Sequence, residues 1–306
     1  MSYHIVSIDS PQCSLSCRNG QLTCKTEEGQ KSLPLEDVAS IIITSFSANI
    51  HSHLLLEAAK SGVSLILCET FKPVSLVLPA NRSTDTLLTR AVISIPQKLK
   101  DKFWTLTVDA KCQNQFMLAA YLAPHDERLP LLKSIAFGRK RHKEAHAAKL
   151  FWQIYGAVLG EEEFTRGRKM GGMNNLLNYG YAVLLSTVLQ KLFGVGLDPT
   201  FGISHVVRER SAPLAYDLME PFRPCVDWRI VQWLKQKKFS EDAFEVSPEF
   251  RKWVTSFPIV KVDYMNFNLE IRGCIEGVVR SFRRAVLEKQ FRFYKPWIPK
   301  NSKWAG

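Results

Sequence analysis

No stretch of the 306-residue sequence reaches the roughly 18–20 uninterrupted apolar residues that a membrane span requires. The opening residues, Met1-Ser2-Tyr3-His4-Ile5-Val6, lack the basic segment and apolar run of a secretory signal. Together these absences lead us to expect a cytoplasmic protein. Zinc-type cysteine spacing is missing as well. Seven cysteines occur, but Cys13 and Cys17 are not a CxxC pair and no second cluster completes a tetrahedral site. Reduced, packed thiols are the expectation. Internal repeats and low-complexity tracts are also absent. Acidic residues are in short supply, with 29 Asp and Glu against 41 Lys and Arg, a formal net charge of +12. Such a surplus suits a polyanionic partner, because neutralising phosphates releases counterions. It equally fits a basic enzyme with no nucleic-acid role.

The hydrophobic fraction of 46% can fill one large core or two ordinary ones. The first third reads as strands: Tyr3–Ile8, Cys13–Arg18 and Gln21–Lys25 around an Asn19-Gly20 hairpin turn, then Val38–Thr44, Val63–Cys68 and Val74–Leu78. One helix, Asn49–Ser61, interrupts them. The polar stretch from Pro79 to Asp85 then breaks the pattern. Helical periodicity follows in Thr86–Ile95, Leu99–Leu122, Glu144–Leu159, Asn174–Phe193 and Glu270–Phe291, with shorter helices at Asp227–Gln236 and Pro248–Thr255. The expected fold is α+β, with a small β-rich N-terminal domain over residues 1–82 and a larger, mainly α-helical domain over 83–306. The last stretch, Phe291–Gly306, carries Pro296 and Pro299 and cannot be a regular helix. It reads as a packed arm, a DNA contact or a frayed end.

Chemistry concentrates in four segments of the second domain. Glu144 follows the basic run Arg139-Lys140-Arg141 and precedes Ala147-Ala148 and Phe151-Trp152. A carboxylate at the edge of a buried helical face is either a metal ligand or an acid favoured at a helix N-terminus. His205 ends the turn Phe201-Gly202-Ile203-Ser204-His205, where it either presents a ring nitrogen to a metal or simply packs. Asp217 and Glu220 lie three apart on a short helix bracketed by Pro213 and Pro221. Two carboxylates on one helical face repel unless a cation or proton separates them, which suits Mg²⁺ or Mn²⁺; pairing with Arg208, Arg210 or Arg223 is the other reading. Asn178, Tyr179 and Tyr181 sit on an otherwise core-like helix. The tyrosines either stack on bases at a frayed DNA end or are buried with their hydroxyls satisfied.

Taken in order, these segments resemble the CRISPR-associated integrase family, the endonuclease subunit that inserts new spacers into CRISPR arrays. The similar elements are Glu144 before Ala147-Ala148 and Phe151-Trp152, the helix Asn175-Leu176-Leu177-Asn178-Tyr179-Gly180-Tyr181, Gly202-Ile203-Ser204-His205, and Leu214-Ala215-Tyr216-Asp217-Leu218-Met219-Glu220-Pro221. Glu220 stands where many members carry Asp. Met173-Asn174 departs from the family's more usual Asp-Pro start.

The resemblance implies metal-dependent DNA cleavage, and integration by 3′-hydroxyl attack on a phosphodiester at a CRISPR repeat. It assigns Glu144, His205 and Glu220 as ligands of Mg²⁺ or Mn²⁺, with Asp217 orienting His205 or a metal-bound water. Arg139, Lys140, Arg141, Arg223, Asn178, Tyr179 and Tyr181 become DNA-contact candidates. It further implies a homodimer formed through the β-domain, with two dimers flanking a dimer of a small ferredoxin-like adaptation partner in a heterohexamer, and protospacer and repeat DNA as substrates. A repair or recombination nuclease without an integration role would use the same site.

Overall fold

A computed structural model describes residues 4–69, 71–78, 85–138, 143–161, 163–167, 171–205 and 211–299. The N-terminal part holds strands β1 (His4–Ile8), β2 (Ser14–Arg18), β3 (Gln21–Thr26), β4 (Gly29–Pro34), β5 (Val38–Ile43) and β6 (Asn49–Ile50), helix α1 (Ser52–Lys60), and strands β7 (Ser64–Glu69) and β8 (Lys72–Val77). Helices α2 (Thr86–Ile93), α3 (Gln97–Leu122), α4 (Leu129–Phe137), α5 (Lys143–Val158), α6 (Met173–Gly194), α7 (Pro213–Met219), α8 (Arg223–Gln236) and α9 (Pro248–Thr255) follow. A hairpin, β9 (Lys261–Tyr264) with β10 (Phe267–Glu270), leads into α10 (Ile271–Leu287). The fold is thus α+β, with a β-rich N-terminal part and a mostly helical remainder. No helix among the described residues is long and apolar enough to cross a membrane.

The strands form two four-stranded sheets, ordered β1-β5-β7-β8 and β4-β3-β2-β6. The β2–β3 turn has Asn19 and Gly20 both at positive φ, the backbone that an Asn-Gly hairpin favours. In the first sheet β1, β5 and β7 run parallel and β8 returns antiparallel. Ile41-Ile42-Ile43 in β5 is buried on both faces, because successive side chains of a strand point to opposite sides. Ile41 and Ile43 join Leu15, Leu22, Leu54 and Leu65 in a core between the two sheets and α1. Ile42, with Ile66 and Cys68, faces the other way and belongs to the helical core. The first sheet is therefore shared: one face closes the β-rich part and the other lies against α6. Asp9, just past β1, pairs with Arg251 of α9 across the same junction.

Helix α6 is apolar on nearly every side, as a helix enclosed by its neighbours must be. Its Gly180 lets α8 come close, since a Cβ there would meet Val226 Cγ1 at 2.5 Å. Helix α3 carries polar residues on its buried face, and these pin the C-terminal arm. Thr107 Oγ1 lies 2.9 Å from the Tyr294 hydroxyl, and Asn114 Nδ2 donates to the carbonyls of Pro221 and Trp297 at 2.8 and 2.9 Å.

Two expectations need correction. The helix expected over Asn49–Ser61 begins at Ser52, because Asn49–Ile50 pairs in parallel with Ser14–Leu15 as a short strand. Pro221 does not end the chain's helical course: α7 passes through a 3-10 turn at Glu220–Phe222 directly into α8, with Pro221 and Pro224 in first-turn positions that need no amide donor. Of the readings open for the stretch after α10, the structure shows the packed arm through residue 299, with Tyr294 and Trp297 buried. Residues 79–84, which include most of the expected domain boundary, and 300–306 lie outside the described residues.

Trp297 stacks on Phe222 with ring centroids 5.4 Å apart and planes 17° apart, and its Nε1 donates to the Asp263 carbonyl. It thereby braces the turn that holds Glu220. Trp297→Ala should lower stability by about 3–5 kcal/mol in urea unfolding; a change below about 1 kcal/mol would contradict this packing role.

Candidate functional site

Two other chain segments converge on Lys111, in the middle of α3. Its Nζ lies 2.7 Å from Glu144 Oε1 in the first turn of α5, and 2.6 Å from Glu220 Oε2 in the turn after α7. Arg223 Nε approaches the other Glu220 oxygen at 2.9 Å. A buried carboxylate needs such company, because desolvation penalises the charged form. Burial pushes the Glu220 carboxyl up, but Arg223 and Lys111 outweigh it and bring it down to about 2. Burial opposes the Lys111 ammonium too; Glu220 and Glu144 overcome that and hold it above its ordinary value. Immediately before Glu144, Lys143 pairs with Asp109 and donates to the carbonyls of Ala136 and Gly138 at the end of α4, so the start of α5 is tied to both α3 and α4.

His205 and Asp217 form a second unit. Asp217 is fully buried and accepts from the backbone amides of Ile203, Ser204 and His205 at 2.5, 3.1 and 3.2 Å. The same carboxylate meets His205 Nδ1 at 2.7 Å. Gly202 makes this wrap possible: a Cβ there would meet the His205 carbonyl at 2.5 Å, Pro213 Cβ at 2.7 Å and Asp217 Oδ2 at 2.9 Å. The His205 ring sits edge-on to Trp104 and near Tyr216. With Nδ1 committed to a carboxylate, Nε2 is the nitrogen that remains for a ligand, the arrangement common to metal-binding histidines.

Beside this lies a cavity of about 220 Å³ lined by Lys72, Pro73, Arg166, Gly167, Asn178, Tyr181, Tyr216, Met219 and Arg223. It combines three cations with two phenol rings and no carboxylate. Arg166 is held by Asn174 Oδ1 at 2.6 Å and Asn178 Oδ1 at 2.7 Å, one helical turn apart on α6. The Asn178 amide nitrogen is buried without a hydrogen-bond partner. Arg166 and Arg223 both lie over the Tyr181 ring, and the Tyr181 hydroxyl donates to Asp227 Oδ1 at 2.6 Å.

The sequence-derived residues therefore sort as follows. Glu144 and Glu220 meet on one cation. His205 and Asp217 are bonded to each other. Of the two readings for Asp217 and Glu220, a shared cation or pairing with an arginine, Glu220 takes Arg223, while Asp217 holds His205 as the resemblance implied. Asn178, Tyr181 and Arg223 line one cavity. Tyr179 does not join them: its ring is enclosed between Phe71 and Phe250, so no base can stack on it. Arg139, Lys140 and Arg141 lie outside the described residues, as do Arg208 and Arg210. Lys111, Arg166 and Lys72 escaped sequence reasoning. Lys111 lies about one turn from each of Thr107 and Asn114 on α3, but its partners are far away in the chain and no local pattern marks it.

Among the described residues no three metal-type side chains stand close enough to hold an ion as the site is drawn. The donor set nevertheless fits one. Two carboxylates, from α5 and from the turn after α7, already converge on a shared positive charge, the Lys111 ammonium. Hard oxygen donors plus one imidazole suit Mg²⁺ or Mn²⁺.

Carboxylates and an imidazole thus lie next to a cationic cavity on an α+β scaffold, an arrangement with the charge to take a phosphate ester. Comparison with known proteins narrows the reading. The profile of the family described as CRISPR associated protein Cas1 matches residues 6–256, and the chain belongs to that family. It is 29% identical over 286 residues to a CRISPR-associated endonuclease Cas1 of Neisseria meningitidis serogroup C, covering 92% of this chain and 91% of the relative. Its fold is similar to a casposase bound to integration product, with a TM-score of 0.80 and 19% identity over 100% of this chain and 96% of the casposase. It is also similar to part of a Cas6-RT-Cas1–Cas2 complex, with a TM-score of 0.77 and 15% identity over 96% of this chain and 36% of that one.

Asp227 gives the site a pH signature. Burial pushes its carboxyl up to about 7, against the Tyr181 hydroxyl and the charges of Arg166 and Arg223. An acid harder to ionise when folded than when unfolded loses stability as pH rises from about 4 to about 7, with no further loss above. Asp227→Asn removes that slope. Relative to this variant, the wild type should lose a few kcal/mol in denaturant unfolding between pH 4 and pH 8; parallel profiles would contradict the assignment.

Proposed function

We propose that this chain is the endonuclease and integrase of CRISPR adaptation, joining protospacer DNA to a CRISPR repeat. The observation that carries the reading is the convergence of Glu144 and Glu220 on one positive charge beside the His205–Asp217 pair. Family membership supports the biological setting. In this reading Glu144 and Glu220 supply oxygen ligands, and His205 a nitrogen ligand, to Mg²⁺ or Mn²⁺. The bound ion would polarise the scissile phosphate and offset charge on its oxygens. Asp217 fixes the tautomer and orientation of His205.

The protein's own groups do the rest. A 3′-hydroxyl of the incoming DNA gives up its proton and attacks phosphorus, a new phosphodiester forms as the bond to the bridging 3′-oxygen breaks, and that oxygen takes up a proton and leaves as a 3′-hydroxyl, so no covalent protein intermediate is needed. The cationic cavity holds the DNA strand. Lys72, Arg166 and Arg223 face its phosphates, Tyr181 and Tyr216 flank the sugar and base, and the Asn178 amide offers a donor. Arg223 links the two regions, because it pairs with Glu220 and also lines the cavity. Arg139, Lys140 and Arg141 add phosphate contacts ahead of Glu144. The +12 net charge accords with a DNA substrate.

Two attacks on opposite strands require two sites, so we assign a homodimer formed through the β-rich part, residues 1–82. Two such dimers flank a dimer of a small ferredoxin-like partner in a heterohexamer, and the complex works in the cytoplasm. The part-similar Cas6-RT-Cas1–Cas2 complex supports a partner of the Cas2 kind. A repair nuclease with the same site is the second reading; strand cleavage without joining, even with the partner supplied, would favour it.

In a half-site integration assay on a repeat-bearing duplex with the partner present, Glu220→Ala should abolish both metal binding and strand joining. Asp217→Ala, which releases His205, should reduce metal affinity or activity by about 10–100-fold. Strand joining that survives Glu220→Ala would overturn the proposed site.

A further inference from the structure

Lys111 is an unusual occupant for the centre of a metal site. Its ammonium is largely buried on α3, where an unpaired charge would be strongly disfavoured. What it touches explains its presence. Glu144 comes from α5 and Glu220 from the turn after α7, and the ammonium lies within 2.7 Å of an oxygen of each. Without a cation these two carboxylates would repel, and Arg223 reaches only Glu220. Lys111 therefore does what a bound metal would do: it joins α3, α5 and the Glu220 turn through one positive charge.

The position is also exclusive. Carboxylate oxygens bind Mg²⁺ at about 2.0–2.1 Å, so an ion bridging Glu144 and Glu220 would occupy the space of an ammonium that stands 2.6–2.7 Å from both. Charge points the same way. Two carboxylates balance Lys111 and Arg223, and a divalent ion added without displacement would leave a surplus of two positive charges in a buried site. The lysine stem is flexible and can withdraw its head.

We propose that Lys111 is the resident cation of this carboxylate pair: it keeps the site assembled without metal, is displaced when the ion binds, and by competing lowers the affinity for that ion. The inference rests on the metal reading given above. It makes metal loading an exchange of one cation for another, not the filling of a preformed gap.

The test is Mn²⁺ binding to the full chain by titration calorimetry, with thermal unfolding measured with and without saturating Mn²⁺. Lys111→Met keeps the apolar stem and removes the charge. It should bind Mn²⁺ about tenfold or more tightly than the wild type. It should also unfold at a lower temperature without metal, with the deficit closing when Mn²⁺ saturates the site. If the metal-free variant fails to fold, Mn²⁺ should restore folding. Lys111→Arg keeps a cation and should bind close to the wild type. Unchanged or weaker Mn²⁺ binding by Lys111→Met, or a fold that Mn²⁺ does not rescue, would overturn the proposal. Glu144→Gln and Glu220→Gln in the same titration separate the two levels. If binding survives both, the metal reading fails; if both abolish it and Lys111→Met gives no gain, only the competition fails.

Discussion

A buried carboxylate must be matched by positive charge, and the centre of this protein is organised around meeting that demand for Glu220. Lys111 and Arg223 supply the match from α3 and α8, and Glu144 completes the bridge from α5. Removing one partner of a buried pair typically costs about 3–5 kcal/mol, whereas an exposed pair contributes little. The constraint therefore fixes where three helices meet. Much of the surrounding architecture secures the same point. Asn114 takes the Pro221 carbonyl next to Glu220, Trp297 stacks on Phe222 two residues beyond it, and Lys143 anchors the start of the Glu144 helix.

The two halves of the site are built by different means. Glu144 and Glu220 are positioned by helix packing and a shared charge, so their spacing can respond to whichever cation is present. His205 and Asp217 are positioned by backbone amides folded over a carboxylate, with Gly202 permitting the approach. Arg223 couples the carboxylates to the cationic cavity through Glu220 on one side and the Tyr181 ring on the other. A DNA strand in that cavity would act on the same arginine that holds Glu220, which connects substrate binding to the charge balance at the carboxylates.

Much of this was readable from local signals. The Asn19-Gly20 turn, the Ile41-Ile43 run and the long apolar helix around Leu176–Leu189 each carry their structure in a few adjacent residues. Gly202 before His205 also showed, because a turn needs a small residue where a Cβ would strike Asp217. Long-range charge matching did not show. Lys111 lies 33 residues from Glu144 and 109 from Glu220, and no periodicity connects them. Tyr179 and Tyr181 look equivalent in sequence, two apart on one helix, yet one faces Phe71 in the β7–β8 turn and the other the cavity. Only the docking of the sheet on α6 distinguishes them. The arm beyond α10 was equally illegible, because its order comes from Thr107 and Asn114, far back in the chain.

The central claim is that Glu144, Glu220 and His205 hold one divalent ion. Anomalous diffraction from crystals soaked in Mn²⁺ tests it most directly. The account predicts a single strong peak within bonding distance of both carboxylates and His205 Nε2, with the Lys111 ammonium withdrawn. A peak elsewhere, or no peak with Lys111 still bridging Glu144 and Glu220, would contradict it.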